Sequence, residues 1–197
     1  MNARLCLIAL FLVAFPVAAQ NPQPGWIADA KTGCRVWSLN PNPARTVTWS
    51  GGCQNGLAQG RGVVQAFQAG QPFARYEGEL RDGKANGRGL YTYASGNRYE
   101  GEWRDDQRNG RGVFTWTDGS RYEGEWRDNR ENGRGVHTWP SGNRFEGEWR
   151  DGKPNGSGTL YRRTDGETFT GTWTNGCFRQ GNRRAAAAVT NKECGIE

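Results

Sequence analysis

The chain has 197 residues, among them 30 Gly and 23 aromatic residues, and a formal net charge of +6. A single histidine and the absence of a Cys-x-x-Cys pair exclude a zinc site. Its 22 Arg and 4 Lys are interleaved with 20 Asp and Glu, so the charge reads as ion pairing on a solvated face; the small excess suits an anionic envelope surface and not nucleic acid.

Residues 1–19 have the layout of a cleaved secretory signal: Arg4, an apolar run over 5–13, and small residues Val17-Ala18-Ala19 before Gln20. The run is too short for an ordinary transmembrane helix, which needs about 20 apolar residues. The expected mature chain is exported, to the periplasm or beyond. Residues 20–48 read as an N-terminal cap, with Val36-Trp37-Ser38 and Thr46-Val47-Thr48 as candidate strands.

From residue 49 to 181 the sequence repeats. Tyr76-Glu77-Gly78-Glu79-Leu80 returns as Tyr99-Glu100-Gly101-Glu102-Trp103, Tyr122-Glu123-Gly124-Glu125-Trp126 and Phe145-Glu146-Gly147-Glu148-Trp149, each 23 residues after the last. Degenerate copies start at Trp49 and Phe169, giving six units. A fixed period in this range signals an elongated array in which each unit buries its apolar face against its neighbours. Within the unit spanning 113–135, residues 113–116 and 121–126 are β-prone around the turn Thr117-Asp118-Gly119-Ser120, and 127–135 reads as a connection. The expected fold is all-β: a single-layer antiparallel meander of about six tandem 23-residue hairpin repeats, of order 55 Å long.

Strand alternation puts Tyr122, Gly124 and Trp126 on one face and Glu123 and Glu125 on the other. Gly124 leaves room for a ring from the adjacent strand. Tyr99, Trp103, Trp116, Tyr122, Trp126, Trp139 and Trp149 recur in register as an internal stack; any ring left exposed would suit a sugar ring or a hydrophobic peptide. Arg88, Arg111 and Arg134, one per Asn-Gly-Arg-Gly loop, are expected as a basic row along one edge, facing phosphates or acidic polymers or simply water. The paired glutamates repeat in every unit beside arginines, which points to a cross-strand charge ladder and not to a hydrolase. His137 stands where Tyr91 and Phe114 stand in earlier units, so it reads as a replacement ring, with no placed nucleophile.

Residues 182–197 read as a C-terminal cap, with a short helix over 183–189 capped by Asn182. Four cysteines remain after the signal. An even number in an exported chain reads as disulfides, with three connectivities open. Two flank the first unit and two the last, so the local pairs Cys34–Cys53 and Cys177–Cys194 are expected, each worth ~3 kcal/mol on the chain-entropy view.

The pattern Tyr/Phe-x-Gly-x-Trp, a short turn, then Asn-Gly-x-Gly resembles the MORN repeat; residues 99–103 with 109–112 match it fully. The resemblance implies a single-layer antiparallel sheet and a role in organising, docking or dimerising, with acidic-lipid contact in some members. The expected function is a non-catalytic envelope scaffold without metal or cofactor. Its expected partner is a protein or a second copy; the alternative is anionic lipid or cell-wall polymer held by the Arg row and by exposed rings among Trp103, Trp116, Trp126, Trp139 and Trp149.

Overall fold

A computed structural model describes residues 25–38, 42 and 44–196; the signal expected at 1–19 lies outside them. Sixteen strands among the described residues form one open sheet. The N-terminal end comprises β1 (Gly25–Ala28), β2 (Arg35–Ser38), β3 (Arg45–Trp49) and β4 (Gly52–Gln54), gathered along the long β5 (Leu57–Gln68). An antiparallel meander follows: β6 (Gln71–Arg81), β7 (Lys84–Thr92), β8 (Arg98–Arg104), β9 (Gln107–Thr115), β10 (Arg121–Arg127), β11 (Arg130–Thr138), β12 (Arg144–Arg150), β13 (Lys153–Tyr161) and β14 (Thr168–Thr174). The short β15 (Cys177–Gln180) and β16 (Arg183–Ala186) close the other end. The all-β single layer expected from the period is the fold observed, and both expected cap strands are present in β2 and β3.

Two kinds of turn alternate. The turn expected around Asp118 and Gly119 is there: Trp116 N–H donates to the Ser120 carbonyl at 2.9 Å and Gly119 N–H to the Trp116 carbonyl at 3.1 Å. The second kind was not expected. Asp105-Asp106 and Asp128-Asn129 both take positive φ, 50° and 64° then 49° and 69°, the two-residue hairpin turn whose twist matches the strands. Residues 130–135 are consequently strand, not connection. They look loop-like because Gly133 is left-handed at φ 67°: here β11 bulges, and residues 132–134 stand opposite the single Glu125 of β10.

One glycine per strand lines up from Gly62 in β5 to Gly171 in β14, each paired with the next across every ladder. Over this line lie the rings. Tyr122 covers Gly124 of its own strand and Gly135 of the next; a Cβ on Gly124 would come within 2.7 Å of the Tyr122 hydroxyl. The ring over Gly124 is therefore from its own strand, not from the adjacent one. Buried Tyr122 donates its hydroxyl to the Glu125 carbonyl at 3.1 Å, and Trp126 Nε1 donates to the Gly112 carbonyl at 3.2 Å. The same bonds recur at Tyr99 with Glu102 (3.1 Å) and at Trp149 with Gly135 (3.1 Å). Tyr122 meets Trp126 edge-on at 5.2 Å and Trp149 of the following unit at 5.2 Å, so each ring binds its own unit to the next. Turns are tied likewise: Asp106 Oδ1 accepts from Ala85 N–H at 2.6 Å, and Asn129 Oδ1 from Arg108 N–H at 2.9 Å.

Both expected disulfides are formed, Cys34–Cys53 and Cys177–Cys194. The helix expected over 183–189 is not. Residues 183–186 pair antiparallel with β15, and Ala185 and Ala187 are buried. The alanines have helix propensity, but they pack as small side chains against Phe178 and the last turn, and tertiary context overrides it. The only helical turn nearby is a 3-10 turn at Lys192–Cys194.

Candidate functional site

The sheet has one ring face and one charged face. On the ring face Tyr91, Tyr93, Phe114, Trp116, His137 and Trp139 continue the stack toward one edge, with successive centroids 4.3 to 5.6 Å apart. His137 lies between Trp116 (5.1 Å) and Trp139 (4.3 Å), nearly parallel to both. It is 9 % exposed and its Nε2 has no partner among the described residues. Burial pushes its pKa down to about 4, against a smaller pull upward from Asp118. It does stand in for a ring, as the sequence suggested.

The charged face forms an open trough of about 1850 Å³ running from β5 to β14 over the glycine line. Arg88, Arg111 and Arg134 lie here in mid-strand and not in edge loops, because the Asn-Gly-Arg-Gly segments are strands. Each stands directly opposite a carboxylate: Arg88 faces Glu102, Arg111 faces Glu125 and Arg134 faces Glu148. The row is real, but it is matched one for one. Residues 76–174 carry 16 Lys and Arg against 17 Asp and Glu, so the basic excess resides outside them.

The glutamate pairs have two separate tasks, which the sequence did not disclose. Glu123 pairs with Arg121 on its own strand (2.7 Å) and Glu146 with Arg144 (2.6 Å). Glu125 instead accepts from the backbone N–H of Arg134 at 3.1 Å, as Glu102 does from Arg111 (3.2 Å) and Glu148 from Ser157 (2.8 Å). These N–H groups are freed by the bulges, and the carboxylates satisfy them. The ladder is thus built from intra-strand ion pairs and backbone acceptors, not from cross-strand pairs alone. Both carboxylates of the Glu123/Glu125 and Glu146/Glu148 pairs therefore have a structural partner already.

Trp103, Trp126 and Trp149 are buried, and their N–H groups are bonded to Gly89, Gly112 and Gly135. They belong to the core and cannot present a ring to a ligand. Trp116 and Trp139 are half-buried, and Trp116 is flanked by Phe114 and His137. The sequence also missed Asp29. This buried carboxylate accepts from Lys31 N–H (2.9 Å), the Thr32 hydroxyl (3.0 Å) and Trp49 N–H (3.1 Å), and the Lys31 bond leads in holding its pKa low. It fixes β1 to the start of the array.

The sequence matches the MORN repeat family over residues 76–98, 99–121, 122–144 and 145–166. The chain is a MORN-repeat protein. No curated protein sequence matches it. The flanking copies outside the matched residues keep the MORN geometry. Trp49 covers Gly51 and Gly62 as Tyr122 covers Gly124 and Gly135, and Trp173 Nε1 donates to the Gly158 carbonyl at 3.1 Å. MORN repeats are generally interaction modules of a family that is typically non-catalytic, and the two disulfides fit an oxidising environment.

Proposed function

We propose that this MORN-repeat protein is an exported, non-catalytic scaffold of the cell envelope that docks a protein partner, or a second copy of itself, on the charged trough. Residues 1–19 serve as the export signal, 20–48 and 182–197 as caps, and 49–181 as the docking array. The observation that supports this best is the matched face: arginines and glutamates alternate at fixed pitch with a slight acidic excess, an arrangement suited to a partner of complementary pattern and poorly suited to a uniform polyanion. Anionic lipid or wall polymer bound through Arg88, Arg111 and Arg134 draws less support, since each arginine faces a carboxylate.

The test is co-sedimentation of the oxidised protein lacking residues 1–19 with envelope membranes, protein-free lipid vesicles and wall polymer. Retention by protein-containing membranes and not by protein-free vesicles, followed by cross-linking to a defined partner, is the expected result. Pelleting with anionic vesicles or wall polymer that moderate salt reverses, and that the combined Arg88→Gln, Arg111→Gln and Arg134→Gln changes abolish, would overturn it.

A further inference from the structure

The trough changes character at its C-terminal end. In the central units a facing glycine pair such as Gly112 and Gly124 is flanked by long or charged side chains, Arg111 and Glu125 on one side, Val113 and Glu123 on the other. At β13 and β14 the glycine pair persists as Gly158 and Gly171, but its flanks are Ser157 with Thr172 and Thr159 with Thr170. Arginine and both glutamates are replaced by short hydroxyl side chains. The floor is therefore open to the backbone over two strands, roughly 10 Å, and those four flanking residues carry no charge. Thr159 and Thr170 already share a hydrogen bond at 3.0 Å.

Beside this bay stands Tyr161. It is 43 % exposed, while the rings of the opposite face are buried or half-buried in the stack. Leu160 is turned into the ring face, so Tyr161 stands on the trough's face at its rim, between Arg144 on β12 and Thr168 on β14. Among the described residues its ring and hydroxyl have no partner. Arg144 is held by Glu146 at 2.6 Å.

We propose that this bay is a saccharide-binding site for an uncharged hexose or N-acetylhexosamine chain. The apolar face of a sugar ring stacks on the exposed phenol ring, the glycine floor permits close approach, Ser157 and Thr172 each offer a donor and an acceptor to sugar hydroxyls, and the Thr159–Thr170 pair keeps one donor and its acceptor lone pairs free. The four flanking residues carry no ion to be stripped of water, and the charges at the rim are already held, Glu148 by the Ser157 N–H and Arg144 by Glu146. The site lies beyond the last arginine of the Arg row and stands whether or not a protein docks on the charged part of the trough.

The experiment is calorimetric titration of the oxidised protein with chitotetraose and with cellotetraose, alongside pull-down on purified wall glycan. Binding that high salt leaves unchanged is expected. Tyr161→Ala should weaken it about tenfold or more, the loss of one ring contact, while the triple Arg88→Gln, Arg111→Gln, Arg134→Gln change leaves it as it is. A second variant, Ser157→Arg with Thr170→Glu and Thr172→Glu, writes the central units' own residues into the bay; it should fold normally and lose the sugar. Retention on wall glycan alone would assign the polymer as the source, and titration with soluble oligosaccharide would assign free chains. Binding equal in the wild type and Tyr161→Ala, or in the rewritten bay, overturns the proposal, as does failure of both oligosaccharides and wall glycan to bind.

Discussion

In the central units a tryptophan occupies the end of each Tyr/Phe-x-Gly-x-Trp segment, held by a carbonyl of the preceding hairpin and by rings on both sides. At the N-terminal end the same frame position is Cys53, and a covalent bond to Cys34 takes the place of the ring. At the C-terminal end Cys177 begins β15, where no further full unit follows, and again a disulfide supplies the closure. The middle is thus stable through its neighbours, as expected of a stacked array, while each end is stable through a bond that needs no neighbour. An open sheet with few aliphatic side chains requires both.

The most direct way to break this comparison is Trp126→Ala. Removing a buried indole should lower stability by about 4 kcal/mol, and hydrogen-exchange protection should fall in β8–β12 together, with the Cys34–Cys53 end unaffected. Loss confined to β10 would show that units do not depend on each other. Next in size is Cys177→Ser with Cys194→Ser. This should cost about 3 kcal/mol and release β15 and β16 while leaving exchange in β8–β12 as it was.

Acid supplies a third, subtler division. His137 is held neutral with its pKa down at about 4, below its ordinary 6.5, so the stability it contributes is present above 6.5 and lost as pH falls toward 4. Asp106 is the reverse case. Burial pushes it up to about 6 from 3.8, against the Ala85 N–H that it accepts, so the fold gains stability as pH falls through 6. The two oppose each other across the same window. His137→Phe, which copies Phe114, should therefore gain on the wild type by roughly 2 kcal/mol between pH 7 and 4.5, discounted for partial access of water. Urea midpoints at the two pH values measure it; a wild-type-like acid loss in the variant would exclude His137 as the cause.

The smallest contrast lies within one strand. Glu125→Ala removes the acceptor for the bulged Arg134 N–H and should cost about 1 kcal/mol. Glu123→Ala breaks an exposed ion pair and should cost less than about 0.5 kcal/mol. Equal losses in thermal melts would refute the separate tasks assigned to the two carboxylates.

The fold was legible in the sequence to the extent that it is periodic. The recurrence of residues 76–80 at a step of 23 gave strands, faces and ring stack, and the position of the cysteines around the end units gave both pairings. What escaped it depends on register. Asp128-Asn129 has no glycine to mark a tight turn, and left-handed Gly133 gives a strand the composition of a loop; together they hid β11 and put Arg134 in the wrong place. Glu125 looks identical to Glu123 until the bulge shows that only one of them faces a freed N–H. The Thr-rich end of the trough is visible as letters, yet its openness appears only when Ser157 and Thr172 are seen to stand where arginine and glutamate stand elsewhere.

The bond from Trp103, Trp126 and Trp149 to the carbonyl 14 residues earlier has a consequence for length. If residues 99–121 were excised, Trp126 would meet Gly89 where it now meets Gly112, and Asn129 would meet Ala85 where it now meets Arg108. Copying a unit in would be equally silent. The protein is in this sense a ruler graduated in steps of two strands, about 10 Å each, whose reach can be reset by whole units while the same two end pieces are kept.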